Sequence, residues 1–88
     1  MLKITRDASS NHEITLQLDG QVTGRWVELL RESAEAVLET GSRLALDLAN
    51  TSFIDCEGVV LINRLIDRGV RQLNTPPFVA EQIKKCAS

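Results

Sequence analysis

The hydrophobic pattern of this chain switches between two periods, and each switch demands a different kind of backbone. Residues 13–18 (EITLQL) alternate: Ile14, Leu16 and Leu18 share one side, and Glu13, Thr15 and Gln17 share the other. That is the mark of a strand buried on one face. Trp26, Leu29, Leu30, Val37 and Leu38 then recur at helical spacing, which predicts an amphipathic helix of about four turns. Residues 43–48 (RLALDL) return to the period of two, with Leu44, Leu46 and Leu48 on one side and Ala45 small enough to lie beneath a helix. Strand, helix and strand in succession make the unit that sets two strands parallel with a helix across a face.

The flanking segments extend this pattern. Residues 2–5 read as a short strand, the cluster 7–12 (DASSNH) as a turn, and the two together with residues 13–18 as a hairpin. Asp19 and Gly20 are expected to end the second strand, Thr23 to cap the first helix and Gly41 to stop it. Residues 50–57 (NTSFIDCE) read as a polar loop holding two apolar anchors, Phe53 and Ile54. A second helix is expected over 58–68, ended by Gly69. It carries two apolar stripes, Val59, Ile62 and Ile66 in one and Leu61 and Leu65 in the other, more than packing on a sheet requires. Val59, Leu61 or Ile62 is therefore expected to be partly exposed. A short strand over 70–73 and a turn at 74–77 (NTPP) follow. Thr75 would cap a terminal helix, with Pro76 near its first position. The order β-β-α-β-α-β-α predicts an α/β domain with a mixed sheet of about four strands and helices packed against it.

Composition bounds the function. The 88 residues suffice for one core, so a single domain over 1–88 is expected. With 43% apolar and 25% charged residues the chain is of ordinary globular type. A net charge of −2, with no basic run, argues against a nucleic-acid partner and against a hold on an anionic membrane. No apolar run approaches the ~20 residues of a membrane span, and residues 1–13 hold no signal-peptide core, so a cytoplasmic location is expected. Cys56 and Cys86 lie far apart in unlike contexts and His12 sits in the polar turn, which predicts reduced thiols and no metal site. There is no tyrosine and no acid–base constellation, and Gly20 and Gly24 do not form a phosphate loop. Neither an enzyme nor a cofactor is expected.

The stretch LALDLANTSFIDCEGVVLINRLIDRGV resembles the signature of the STAS domain, the family of anti-sigma-factor antagonists. That signature is an apolar strand with an Asp, a loop of two apolar residues followed by Asp-Ser-Ser-Gly, and a helix. LQLDGQV resembles the family's strand ending in Gly-Glu-Leu, and the element order matches along nearly the whole chain. The resemblance implies a STAS-like fold and a regulatory module that docks on a protein partner: an anti-sigma factor or kinase-like protein, a signalling complex, or the ATPase of a transporter. It also implies that phosphorylation of the loop's second Ser by the partner releases the complex. Asp55 matches the loop Asp and Gly58 the Gly; Cys56 falls on the first Ser and Glu57 on the phosphorylated one. Glu57 has no hydroxyl and carries a fixed charge instead, and Thr23 stands where the family tends to have an Asp after Gly-Glu-Leu.

The implied contact set is Ser52, Asp55, Cys56, Glu57, Gly58, Val59 and Ile62. Each has a plainer reading. An acid at Glu57 favours a helix N-terminus by about 0.3–1 kcal/mol, and Asp55 as a cap contributes about 1 kcal/mol. Cys56 is a small residue that becomes a redox sensor only in a setting that lowers its pKa. Ser52 and Thr51 are loop hydroxyls and the alternative phosphate acceptors. The competing functional readings are a STAS-type transporter subunit and a nucleotide- or lipid-binding domain using the same loop.

Overall fold

A computed structural model describes residues 2–8 and 13–87. Its elements are β1 (Leu2–Ala8), β2 (Glu13–Val22), α1 (Arg25–Glu39), β3 (Arg43–Ile54), α2 (Cys56–Asp67), β4 (Arg71–Leu73) and α3 (Pro77–Ala87). Of the turn expected over 7–12, Asp7 and Ala8 belong to β1, and residues 9–12, His12 among them, lie outside the described residues, as does the side chain of Cys86. The strands form one sheet in the order β1-β2-β3-β4, with β1 antiparallel to β2, and β3 parallel to both its neighbours. This is the expected α/β arrangement: a four-stranded mixed sheet with three helices.

Strand order advances in one direction from β2 to β4, so right-handed crossovers carry α1 and α2 to the same face. The alternation of the strands matches. Leu2, Ile14, Leu16, Leu18, Leu44, Leu46 and Leu48 are buried, while Lys3, Thr5, Asp7, Gln17 and Asp19 are exposed. Val27, Leu30, Ala34 and Val37 of α1 and Val59, Leu61, Ile62 and Leu65 of α2 complete the core. Ala45 departs from its expected place. Its register neighbours show that it belongs to the opposite face from Leu44 and Leu46. On that face Arg71 of β4 bonds to Glu13 on β2 (2.9 Å), and Ala45 is 0% exposed.

Both central strands run further than their turn residues suggest. β2 passes through Asp19 and Gly20 to Val22 by way of two register irregularities. β3 continues through 50–54, the segment read as a loop, because the extended β2 offers it a partner: Gly20 faces Thr51, and Val22 faces Ile54. β4 pairs only with residues 45–47 of β3, and α3 occupies the edge beyond, where Gln82 Oε1 accepts from the Ile54 N–H (3.2 Å).

Helix ends show similar shifts. α1 is capped by Gly24 rather than by Thr23, with the Thr23 carbonyl accepting from Trp26 N. Pro77, not Pro76, is the first residue of α3, and the Thr75 hydroxyl bonds to Gln72 instead of capping. Gly41 and Gly69 end α1 and α2 as expected, each with positive φ and an N–H bonded back to the helix. The two stripes of α2 are buried except for Ile66, which is partly buried, and α2 has the sheet on one side and α3 on another. Leu61 is 6% exposed, and Val59 and Ile62 are wholly buried. The expectation of exposure at these positions is corrected: the exposed apolar residue of α2 is Val60, at 45%.

Leu46 is fully buried in β3, between β2 and β4. Leu46→Ala is expected to lower the unfolding free energy by about 2–5 kcal/mol. Urea denaturation followed by circular dichroism checks it, with Lys3→Ala on the exposed sheet face as a control expected to stay within about 0.5 kcal/mol.

Candidate functional site

β2 and β3 end side by side, and at their carboxyl ends each chain turns into a helix. Asp55 joins the two turns. Its N–H donates to the Val22 carbonyl (3.2 Å), extending the sheet ladder by one bond. Oδ1 accepts from Gly58 N (2.8 Å), which caps α2. Oδ2 accepts from Gly24 N (3.1 Å), at the start of α1. One carboxylate thus faces the positive ends of two helices. The N-cap role expected of Asp55 is present, and the tie to Gly24 adds a bond between segments distant in sequence.

Gly58 allows the close approach this arrangement needs. A Cβ there would stand 2.8 Å from the Val22 carbonyl oxygen and 2.8 Å from Ile54 Cγ2. The first turn of α2 therefore rests on the ends of β2 and β3 without room for a side chain.

Cys56 and Glu57, the first two residues of α2, are exposed. They line an open groove of ≈ 490 Å³ between α1 and α2. Gly24, the cap of α1, lines it with Val27, Glu28 and Arg31 of α1, and α2 adds Val60 and Arg64. Glu28 and Arg31 pair across one turn (2.9 Å), leaving the exposed Val60 between charged residues of both signs. Among the described residues, no group of His, Cys, Asp and Glu could hold a metal ion. No helix among them is long and apolar enough to cross a membrane.

The expected contact set separates. Asp55, Cys56, Glu57 and Gly58 form the turn, with only Cys56 and Glu57 exposed. Val59 and Ile62 point into the core and cannot touch a partner. Thr51 is 2% exposed, with its hydroxyl directed at the Leu18 carbonyl (3.4 Å), so it is no accessible phosphate acceptor. Ser52 is exposed on β3 and donates to the Gly20 carbonyl (3.1 Å). Val60 and Arg64 were missed, although both lie at helical spacing from Glu57. Val27, Glu28 and Arg31 carry no such signal, because only the packing of α1 beside α2 brings them to the groove.

Comparison with solved structures agrees with this architecture. The anti-sigma-factor antagonist SpoIIAA in its unphosphorylated form matches 93% of this chain and 82% of its own with a TM-score of 0.73, at 18% identity. The chain has the STAS fold. The STAS domain of an antisigma-factor antagonist from Rhodobacter sphaeroides matches 83% of this chain and 86% of its own, with a TM-score of 0.63 and 18% identity. A similar region also occurs in Mglu, at 26% identity and a TM-score of 0.60, covering 88% of this chain but 19% of that one. The STAS fold therefore also occurs as a small part of a much longer chain, and fold alone does not name an activity. No family model matches the sequence, and no curated protein matches it significantly.

The geometry sets two expectations. Asp55→Ala removes the cap of α2 and the acceptor of Gly24 N, and should cost about 1–2 kcal/mol of stability. Gly58→Ala should also destabilise, by about 1–3 kcal/mol, because the clash outweighs the roughly 1 kcal/mol by which alanine is the better helix former. Denaturant unfolding of both variants checks these; a Gly58→Ala protein more stable than wild type would contradict the close approach.

Proposed function

We propose that this protein is a regulatory interaction module of the anti-sigma-factor antagonist kind, a single domain over residues 1–88 working in the cytoplasm without catalysis or cofactor. It docks a protein partner at the turn from Asp55 to Gly58 and along the adjoining groove between α1 and α2. The partner is of the anti-sigma-factor or kinase-like class, a signalling complex or a transporter ATPase. The observation that carries the reading is the placement of an exposed carboxylate, Glu57, beside an exposed valine, Val60, at the joined helix starts. An apolar centre with a charged rim is what a protein contact uses. Two carboxylates, Glu28 and Glu57, line the groove with Arg31 and Arg64, so it does not favour the phosphate of a nucleotide or lipid headgroup.

Glu57 sets the regulation in this reading. A phosphoserine carries about −1.5 to −2 charge and three acceptor oxygens, whereas a glutamate carries one charge permanently. Glu57 then holds the module toward the released state of a switch that phosphate would otherwise operate, and no kinase changes it at that position.

The test begins with capture from the native cytoplasm, comparing wild type with Val60→Asp, which places a charge at the exposed centre of the groove and leaves the core alone. The partner is expected with wild type and absent with the variant. Titration calorimetry of the isolated partner with Glu57→Ser is expected to show binding tighter by about fivefold, the equivalent of ~1 kcal/mol. That gain should shrink at high salt. Stability should fall by no more than about 1 kcal/mol from the lost helix-dipole term. Equal affinity at both salt concentrations would leave Glu57 as a helix-end acid only, and an unaffected Val60→Asp complex would remove the groove as the docking site.

A further inference from the structure

The edge of the sheet at β1 carries information that docking at the groove does not use. Among the described residues β1 pairs with β2 alone, in a register that runs unbroken from Leu2 opposite Gly20 to Ala8 opposite Ile14. Its seven residues, LKITRDA, contain no proline or glycine, so its other side presents a straight row of backbone donors and acceptors. Such an edge invites another strand unless proline, a bulge or unmatched charge blunts it, and the charges of β1, Lys3, Arg6 and Asp7, restrict which strand and register it can accept. The opposite edge differs: β4 has three residues, and Gln82 of α3 bonds to β3 beyond it.

We propose that β1 pairs antiparallel with β1 of a second copy, about a two-fold axis at Thr5, so that two four-stranded sheets become one. The charges of the strand select this register. With Thr5 facing its symmetry mate, all seven residues pair, and Lys3 stands opposite Asp7 of the other copy twice over. An axis at Arg6 sets two guanidinium groups face to face. An axis at Ile4 shortens the ladder and leaves Lys3 opposite Thr5. A shift by a single residue would join the buried face of one sheet to the polar face of the other. Parallel pairing in register would stack Lys3 on Lys3 and Asp7 on Asp7.

Both faces of the strand suit the arrangement. On the outer face Lys3 already has Asp19 beside it on β2, and Asp7 of the second copy would flank it on the other side. On the inner face a groove of ≈ 380 Å³ runs beside β1, lined by Ile4, Arg6, Leu16, Leu29 and Val37 among others. Leu29 is 38% exposed there. The second β1 would extend the floor of this groove and lay the stem of its Arg6 against Ile4. The contact is a short ladder with little apolar burial, so association is weak and concentration-dependent.

Analytical ultracentrifugation of the full chain under reducing conditions, up to about 1 mM, tests it, the upper concentration matching a weak complex. Wild type is expected to dimerise within that range. Lys3→Asp and Asp7→Lys should each weaken dimerisation by about tenfold or more, since two opposite-charge pairs become like-charge pairs at once. An equal mixture of the two variants should recover it, because each copy then carries the charges the other lacks. Hydrogen exchange on wild type supplies a readout that needs no variant: alternate β1 amides should gain protection as concentration rises. A wild-type chain that stays monomeric, a dimer indifferent to both reversals, or variants that fail to recover on mixing would each overturn the proposal.

Discussion

Two parallel strands end together here, and the way their ends are held decides where everything after them can go. The Asp55 carboxylate accepts one N–H from the start of α2 and one from the start of α1, while its own N–H continues the ladder to Val22. These bonds are short-range and directional, so the start of each helix is fixed relative to the sheet and to the other helix. Gly58 lets α2 sit at that distance, with only backbone against the ends of β2 and β3. The groove between α1 and α2 follows from this junction.

The bulk of the stability lies elsewhere, in one apolar layer between the sheet and the helices. Leucines of β2 and β3 supply one side of it, and α1, α2 and α3 the other. α2 is the most enclosed of the three, and its two apolar stripes meet two neighbours, the sheet and α3. Ion pairs do comparatively little. Arg68 with Glu35 (2.6 Å) and Arg31 with Glu28 are each close to half exposed, and pairs of that kind contribute about 0–1 kcal/mol. Among the described residues, every buried side-chain nitrogen and oxygen has a hydrogen-bond partner, so the core carries no cost from stranded polar atoms.

Two acids of one turn, Asp55 and Glu57, are placed differently. Asp55 is half-buried with its carboxylate bonded to two backbone donors, whereas Glu57, two positions on, is exposed. The negative charge of Glu57 lies at the positive end of α2, which favours the helix by about 0.3–1 kcal/mol. The hydroxyls of Ser52 and Thr51 bond to carbonyls of β2 where the register between the strands is irregular, so both serve the sheet.

The alternation in residues 13–18 and 43–48 and the helical spacing from Trp26 to Leu38 determined the elements, their order and the parallel pairing, because side-chain period and backbone type are locked together. The motif FIDCEG likewise determined that a strand, an Asp cap and a helix meet at residues 53–58, since capping is a local matter of one side chain and the next turn of backbone. Tertiary structure decided what depends on neighbours distant in sequence. Residues 50–54 look like a loop in isolation and are a strand only because β2 runs alongside them past Gly20. The two apolar stripes of α2 are legible in its own sequence, but that both find cover, leaving Val59 and Ile62 buried and Val60 open, depends on α2 having α3 beside it as well as the sheet. The same reason applies to Val27, Glu28 and Arg31: periodicity tells which face of a helix is apolar, but only packing tells which helix that face meets.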